Sequence, residues 1–314
     1  MGARADVDSL LSGDLGEWLQ GQVAVRAEAK DKAQWRWTVS AALLLPLLAF
    51  LWFGPDWGTE PKLWLSAIPV GAAFAWGQVP ISKARKQVKI GINQAIAGAL
   101  GLAYAHDVER GEEWEHAEAF GLMPSHDRKN FEDSWRGTLG GHDFHLYEAH
   151  LEEKRGSGKN SRWVTVFRGA VIRIASDRRF HGVTLLQRAG KHRRFLGLGS
   201  RKDSVELGGH VLQSVDMVSP EFEDVFDLWS NDQVEARWLA HPAYVERLVE
   251  LERAFHGKDV RTLFIDGYLL VAIESGNMFE SGSIDPGDDH AKVRECNEQF
   301  GTLAELAETL NAER

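Results

Sequence analysis

The chain contains two long stretches without a charged residue, WTVSAALLLPLLAFLWFGP at 37–55 and LWLSAIPVGAAFAWGQVPIS at 63–82. A helix that crosses the hydrocarbon core of a bilayer needs about 20 predominantly apolar residues, and each stretch has that length. Pro46 lies inside the first stretch, where transmembrane helices tolerate it. The second stretch is less apolar, with Pro69 and Gln78, so a buried helix of a soluble protein is an alternative for it. We predict a transmembrane hairpin of two helices.

Basic residues around the two stretches predict the orientation of the hairpin. Arg26, Lys30, Lys32 and Arg36 precede it, and Lys83, Arg85, Lys86 and Lys89 follow it. The loop at 54–62 carries Asp56, Glu60 and only one basic residue, Lys62. Because cytoplasmic loops are enriched in Lys and Arg, both termini are predicted to be cytoplasmic. The cluster that follows the hairpin is also a candidate contact for anionic lipid headgroups.

These patterns divide the chain into four parts. We predict an amphipathic cytoplasmic N-terminal segment at 1–36, the hairpin at 37–82, a juxtamembrane helix and connector at 83–124, and a cytoplasmic domain at 125–314. The long polar lead before the first apolar stretch argues against a signal peptide. Cys296 is the single cysteine, so no intrachain disulfide can form, which suits a reducing compartment.

The C-terminal domain is predicted to be α+β, with a mostly antiparallel sheet and helices placed late in the sequence. Gly140-Gly141 and Asp266-Gly267 each separate two β-rich runs, which is typical of two-residue hairpin turns. Gly169 lies inside the run 163–176 and predicts a bulge or a break between two strands. The remaining predicted elements are a helix at 83–105, strands at 182–187, 211–217 and 223–229, two helices between 230 and 255 divided by Pro242, and a closing helix at 289–311.

Charge is distributed unevenly along this domain. Residues 154–202 hold fourteen Lys and Arg against one acidic residue, whereas residues 203–314 hold eight against twenty-four. A basic block on a tethered domain could contact an anionic leaflet, or it could be ordinary solvated surface. Nucleic acid is not expected as a partner, because the chain as a whole has a net charge of −10. The block's candidate membrane or anion contacts are Arg188, Lys191, Arg193, Arg194, Arg201 and Lys202.

Histidines and carboxylates raise the question of a metal site. His142, Glu148 and His150 share one face of a predicted strand, with His145 nearby, and imidazole with carboxylate could bind zinc. No second ligand cluster at metal spacing accompanies them, so we predict solvated strand residues and no metal. Asp285, Asp288, Asp289 and His290 lack the calcium-loop pattern, and we expect them at the start of the last helix.

The sequence contains no recognisable catalytic or nucleotide-binding signature. The run Gly197–Lys202 could form a small anion-binding nest, but it lacks the spacing of a phosphate loop and is better read as a flexible basic loop. Cys296 lies on the apolar pattern of the final helix, where a cysteine usually packs. We therefore predict no cofactor and no catalytic residue. The expected function is a protein-binding or membrane-surface-binding module, and the alternative is an enzyme that acts on a membrane-associated substrate.

The polar residues at 230–237 could form a site or could cap a helix. Ser230-x-x-Gln233 and Asp232-x-x-Glu235 both fit capping boxes, and acidic residues favour a first helical turn. We predict that Asp232 and Glu235 have this structural role, with Arg237 beside them.

A series of short motifs resembles a family of bacterial membrane proteins known as domain of unknown function 3137. The matching residues are Gly121-Leu122-Met123-Pro124, Phe131-Glu132-Asp133 with Gly137, Val166-Phe167-Arg168-Gly169, the run Trp229–Leu239 with Pro242, Glu246-Arg247-Leu248 and Asp266-Gly267. The run at 229–239 is the most specific of them. His241 departs from the Thr or Ser that often precedes the proline in the family, so that helix cap is expected to differ.

The resemblance has limited implications. It implies a bacterial inner-membrane location with an N-terminal transmembrane hairpin, and it carries no activity. It leaves Arg168, Gly169, Asp232, Glu235 and Arg237 as motif residues of unknown role. Some members lie beside genes for LemA-like membrane proteins, which hints at a partner in addition to the lipid bilayer.

Overall fold

A computed structural model describes residues 7–54, 56–108, 110–190, 193–195, 198–217, 220–276 and 278–312. The chain divides into two compact units. The described part of the helical unit comprises residues 7–95 and 280–293, and that of the α+β unit comprises residues 96–279 and 294–312.

The described residues form eight α-helices and twelve strands in chain order. The helices are α1 (Val7–Ser12), α2 (Asp14–Phe53), α3 (Thr59–Leu100), α4 (Trp114–Ala119), α5 (Pro220–Val225), α6 (Gln233–Leu239), α7 (Pro242–Ala254) and α8 (Asp289–Asn311). The strands are β1 (Leu102–Asp107), β2 (Arg128–Leu139), β3 (His142–Arg155), β4 (Arg162–Ala175), β5 (Thr184–Arg188), β6 (Arg193–Phe195), β7 (Leu198–Arg201), β8 (Ser204–Leu207), β9 (His210–Val215), β10 (Phe226–Ser230), β11 (Lys258–Ile265) and β12 (Tyr268–Glu274).

The first half of α2 has a coiled-coil pattern. Its buried residues alternate at spacings of four and three: Leu15, Leu19, Gln22, Arg26, Ala29 and Ala33. A repeat of this kind keeps one stripe of a helix against its neighbour over several turns. The second half of α2 is the apolar stretch, and the helix runs through Pro46 without a break.

Helices α2 and α3 pack against each other along their apolar segments. Arg36 Nη1 donates to the Trp76 carbonyl oxygen at 2.9 Å, and the rings of Trp37 and Phe74 stack with centroids 6.2 Å apart. Further along, Trp52 Nε1 donates to Ser66 Oγ at 3.1 Å. Because the paired residue numbers rise on one helix as they fall on the other, the two helices are antiparallel.

One helix among the described residues, α2, is long and apolar enough to cross a membrane. Only 6 % of its apolar window is buried in the structure. Large apolar side chains are exposed along both helices, including Leu43, Leu45, Phe50 and Phe53 on α2 and Leu63, Trp64, Ile68 and Phe74 on α3. The search of the described residues gives no second spanning helix, so the predicted transmembrane hairpin stays a proposal.

The α+β unit is built on a ten-stranded sheet in the order β1-β2-β3-β4-β12-β11-β5-β10-β9-β8, beside a two-stranded sheet β6-β7. All of the strand pairs are antiparallel. The predicted mixed α+β class with a large antiparallel sheet is confirmed. The two turns also fold as predicted: φ is 60° and 87° at Gly140-Gly141, and 50° and 80° at Asp266-Gly267. Positive φ at both central residues is the requirement of a type I′ turn.

Three predicted element boundaries differ from the structure. Strand β4 runs unbroken through Gly169, and its register shift against β3 lies beside Val166. The predicted strand at 223–229 begins instead with α5, so only its second half is strand. The predicted helix at 83–105 ends at Leu100, because Gly101 takes a φ of 72° and β1 follows it.

Both faces of the central strands are covered. On one face, Tyr147 of β3 and Phe167 of β4 lie in one buried cluster with Trp114 of α4, and all three are at most 1 % exposed. On β2 and β3, Trp135 and Phe144 pack against Phe300 of α8, with ring centroids 4.5 Å and 6.3 Å apart. A sheet covered on both faces leaves polar groups of its central strands buried, where they need hydrogen-bond partners.

Candidate functional site

A polar cleft of about 500 Å³ opens on the α4 side of the sheet. Its polar lining residues are Glu112, Glu113, His116, Arg136, Asp143, His145, Arg173 and Tyr268. Three neighbouring strands supply its floor, because Arg136 of β2, His145 of β3 and Arg173 of β4 are direct cross-strand partners. Side chains of directly paired residues project from the same face of a sheet.

A β-bulge shapes the strand at the edge of this cleft. The register between β2 and β3 shifts between Glu132 and Trp135, so β2 carries one extra residue there. Asp133 in the bulge has a φ of 55°, a conformation that costs energy for a residue other than glycine. The bulge is followed by Ser134, which pairs with Ala105 of β1.

Ser134, His145 and Glu113 form a chain of hydrogen bonds next to the cleft. Ser134 Oγ lies 3.2 Å from His145 Nε2, and His145 Nδ1 lies 2.8 Å from Glu113 Oε1. The exposed fractions of these residues are 4 %, 5 % and 5 %, so water competes little for the bonds. Glu113 comes from the segment immediately before α4, whereas the other two residues come from adjacent strands.

The charge state of Glu113 determines which atoms donate and which accept in this series of hydrogen bonds. Burial by itself opposes ionisation of Glu113, but the hydrogen bond from His145, a backbone hydrogen bond and nearby positive charge outweigh it, and the pKa of Glu113 is lowered. An ionised carboxylate can only accept, so Nδ1 of His145 donates to it. In neutral imidazole the other nitrogen then accepts, which makes Ser134 Oγ–H the donor to Nε2.

The cleft next to these three side chains is lined by both positive and negative groups. Arg173 is ion-paired with Asp143 at 2.6 Å, while Arg136 is exposed. The Tyr268 hydroxyl contacts His116 Nδ1. Burial and the charges of Asp266 and Glu113 raise the pKa of Tyr268 to about 12, so its hydroxyl remains protonated at neutral pH.

The lowered pKa of Glu113 predicts a pH-dependent contribution to stability. A carboxylate with a folded-state pKa below its ordinary value stabilises the fold above that ordinary value, and the contribution disappears as the pH falls through the folded-state pKa. We expect Glu113→Gln to destabilise the protein at pH 7 and to have progressively less effect below about pH 4.5, the ordinary value. Thermal unfolding of both proteins from pH 7 to pH 3 measures the difference; a constant difference across this range would contradict the assignment.

A second polar cluster lies at the same bulge. His106, Glu132 and Asp133 place one ligand atom each within 4.8 Å of one another, a grouping that could hold a metal ion. The groups are already engaged: Asp133 Oδ1 bonds His106 Nδ1 at 2.8 Å and accepts from Tyr104, and Glu132 pairs with Arg168 at 3.3 Å. A guanidinium on one ligand disfavours a cation, so the donor set fits a hydrogen-bonded cluster better than a metal centre.

The histidine and carboxylate residues weighed from sequence as metal ligands do not converge. His142 lies 3.3 Å from Asp177, Glu148 accepts from the Met278 backbone N–H, and His150 bonds Thr165. Only His145 of that group belongs to the cleft. Glu113 and Ser134 are not predictable from the sequence as site residues, because neither stands in a motif.

The predicted capping role is present, with one difference. Asp232 caps α6 by accepting from the backbone N–H of Val234 and Glu235. Glu235 does not return to Asp232 as a capping box requires; its two oxygens accept from the N–H groups of His181 and Gly182 at 2.8 Å. Arg237 donates to the Asp216 carbonyl oxygen, and at α7 the imidazole of His241 replaces a hydroxyl as the cap by accepting from Tyr244 N–H.

The basic residues predicted as membrane or anion contacts differ in exposure and in ion pairing. Lys83, Arg85, Lys86 and Lys202 are exposed, whereas Lys89 is buried and paired with Glu280 at 2.7 Å. Arg188 pairs with Glu252 at 2.7 Å. Lys191, Gly197 and the side chains of Arg193, Arg194 and Arg201 lie outside the described residues. The basic residues at 154–162 and at 178–179 flank opposite ends of β4, about 45 Å apart at the rise of a strand, so the block 154–202 is not one patch.

A family model described as "Protein of unknown function (DUF3137)" matches residues 165–312. The chain resembles this family over those residues. The resemblance predicted from the motifs is thereby confirmed for Val166–Gly169, the run at 229–239 and Asp266-Gly267, while the motifs at 121–137 lie before the matched segment. Glu113, Ser134 and His145 also precede it.

Comparison with solved structures finds the mycobacterial trehalose monomycolate transport factor A, TtfA. The two chains are 13 % identical, with a TM-score of 0.34, and the alignment covers 71 % of this chain and 95 % of the other. A TM-score of this size does not establish a shared fold. Comparison with curated protein sequences finds no match.

Proposed function

We propose that this protein is anchored in the bacterial inner membrane by α2 and α3, and that its α+β unit is a cytoplasmic module that binds a partner protein or the membrane surface. The observation that carries the anchor is the exposed apolar half of α2. Only 6 % of its apolar window is buried, and the Phe53 side chain is 91 % exposed. A surface of this kind is stable when hydrocarbon replaces water as its solvent.

The packing of α3 on α2 supports a hairpin with two crossings. Trp76, Phe74 and Ser66 of α3 contact α2 at Arg36, Trp37 and Trp52. If the apolar half of α2 lies in the bilayer, residues 63–77 of α3 lie at the same depth beside it. The exposed apolar side chains of that segment then face lipid, as those of α2 do.

Basic residues support the orientation and the binding role. Arg36 before the first apolar stretch and Lys83, Arg85 and Lys86 after the second mark the cytoplasmic end of the hairpin by the positive-inside rule. The last three side chains are exposed, so they can contact anionic headgroups at that level. The α+β unit then follows on the cytoplasmic side.

Reporter fusions to the full chain distinguish two crossings from one. We expect a reporter that is active only in the cytoplasm to be active after Arg314, and a reporter that is active only in the periplasm to be active at Gly58. If α2 alone crosses, Gly58 and Arg314 lie on the same side and respond to the same reporter. That result would overturn the hairpin and the cytoplasmic placement of the α+β unit.

A second candidate function is an enzyme that acts on a membrane-associated substrate. The hydrogen-bonded chain of Ser134, His145 and Glu113 is the observation that favours it.

A further inference from the structure

We propose that Ser134 is an activated nucleophile and that the cleft beside it cleaves carboxylic esters bearing an anionic group. The inference does not depend on the membrane topology, because every residue that carries it belongs to the α+β unit. It rests on the chemistry of three side chains, on the bulge that places one of them, and on the charges that flank the cleft.

The two imidazole nitrogens of His145 have the partners that a general base needs: one faces the hydroxyl to be deprotonated, and the other is held by a carboxylate. Nε2 faces the Ser134 hydroxyl at 3.2 Å, and Nδ1 is held by the Glu113 carboxylate at 2.8 Å. A nucleophile within hydrogen-bond reach of a base, which a third group orients in turn, is the geometric signature of nucleophilic catalysis. The ionised Glu113 fixes the tautomer and would stabilise the imidazolium that forms when His145 takes the proton.

Another buried serine shows what a purely structural hydroxyl looks like in this fold. Ser230 bonds Thr184 Oγ1 at 2.9 Å and the Val183 carbonyl oxygen at 3.0 Å. Those partners satisfy a buried hydroxyl without a group that can remove its proton. The partner of Ser134 is an imidazole that can.

The backbone at Ser134 is irregular where a regular strand would suffice. The bulge adds a residue to β2, and Asp133 accepts a φ of 55° immediately before the serine. Bulges next to sites re-aim a side chain, and strained residues persist where the surrounding structure holds them. Here the bulge puts Ser134 within reach of His145, whose ring lines the cleft.

The guanidinium groups of the cleft bear on the substrate class. Arg136 and Arg173 are the cross-strand partners of His145 on either side, and both line the cleft. Arg173 is already ion-paired with Asp143 at 2.6 Å, so the exposed Arg136 is the guanidinium better placed to contact a substrate anion. Planar guanidinium groups recognise carboxylate and phosphate oxygens, so the favoured ester carries one of these anions near the scissile bond.

The reaction is a two-step acyl transfer to water. Ser134 Oγ attacks the ester carbonyl carbon as its proton passes to His145 Nε2, and the leaving alkoxide takes that proton when the carbon–oxygen bond breaks. Water then attacks the acyl-serine with His145 as base, which releases the carboxylic acid and restores the serine hydroxyl. No oxidant, reductant or metal takes part.

A fluorophosphonate probe tests the nucleophile directly on the full chain in detergent. Attack by Ser134 Oγ on phosphorus expels fluoride and leaves a phosphonyl-serine, which peptide mass spectrometry locates. We expect one adduct, at Ser134. Protein unfolded by heat before probe addition should carry no adduct.

Matched variants separate the proposed role from a structural one. Ser134→Ala should lose the adduct, and Ser230→Ala, at the buried serine without an imidazole, should retain it. Glu113→Gln should slow labelling by about tenfold or more while Ser134 remains the labelled residue. Circular dichroism verifies that each variant is folded.

Two results would overturn the proposal, and the first concerns the wild-type protein. Folded wild-type protein that carries no adduct on Ser134 with probe in excess would overturn it and leave a buried hydrogen-bond chain. Labelling of Ser134 that is equally fast in the Glu113→Gln variant would also overturn it, because His145 would then not act as a base that Glu113 orients.

Discussion

Replacing Gly169 with alanine should lower the free energy of unfolding by more than about 3 kcal/mol, or prevent folding. An ideal Cβ at this position would lie 1.9 Å from the carbonyl oxygen of Ile273 and 2.9 Å from the backbone nitrogen of Ser275. Ile273 lies on β12 and Ser275 comes directly after it. Strand β12 is hydrogen-bonded to β4, and Gly169 itself pairs with Glu274. Backbone in the middle of a sheet cannot move aside as the end of a flexible side chain can.

Thermal unfolding of the full chain in detergent measures this effect, and Gly98→Ala is the matched control. Gly98 lies inside α3 with no atom within 4 Å of its ideal Cβ. The same substitution should there be neutral or stabilising by up to about 1 kcal/mol, because alanine is the better helix former. Equal unfolding midpoints for the two variants would show that position 169 tolerates a Cβ atom, which would contradict the prediction.

Replacing Arg26 with leucine should destabilise the helical unit by about 3–5 kcal/mol. Arg26 is 1 % exposed in the buried stripe of α2, and its two terminal nitrogens lie 3.0 Å from the two carboxylate oxygens of Asp289. Removing the guanidinium leaves a buried carboxylate without its counter-charge. Burial already raises the pKa of Asp289 despite Arg26, so the defect should shrink in acid, where protonation neutralises the carboxyl group.

The double variant Arg26→Leu with Asp289→Leu should recover much of the loss, because no buried charge remains. Arg247→Leu serves as the control for an exposed ion pair: Arg247 contacts Glu250 and Glu305, but its side chain is 37 % exposed. Its loss should cost no more than about 1 kcal/mol. If the double variant were less stable than Arg26→Leu alone, the unpaired charge would not be the cause of the defect.

Local chemistry made the turns and caps predictable. Asp266-Gly267 and Gly140-Gly141 fold as tight hairpin turns because glycine and aspartate accept positive φ at low cost. Asp232 caps α6 because its carboxylate reaches N–H groups two and three residues ahead. The apolar half of α2, at 37–53, is predictable from composition alone. The closing helix α8 is predictable from the helical spacing of its apolar residues.

The candidate site could not be read in the same way, because its members are far apart in sequence. Glu113 comes from an acidic connector, Ser134 from a bulge in β2 and His145 from a histidine-bearing strand. His145 was recognised only as one of several strand histidines. Strand pairing and the bulge register bring the three together, and no local pattern encodes where a bulge will point a side chain.

By itself, the sequence determined the apolar helix, the α+β class, the hairpin turns and the helix caps, since each depends on residues within a few positions of one another. Tertiary structure alone decided that Lys89 is buried against Glu280 and that Arg26 pairs with Asp289, although both looked like ordinary juxtamembrane cations. It also decided that Gly169 is needed for the close approach of β12 and that Ser134 meets an imidazole. The physical reason is that burial and charge pairing depend on segments that meet only after folding. The local sequence around a residue does not specify which distant residues it will contact.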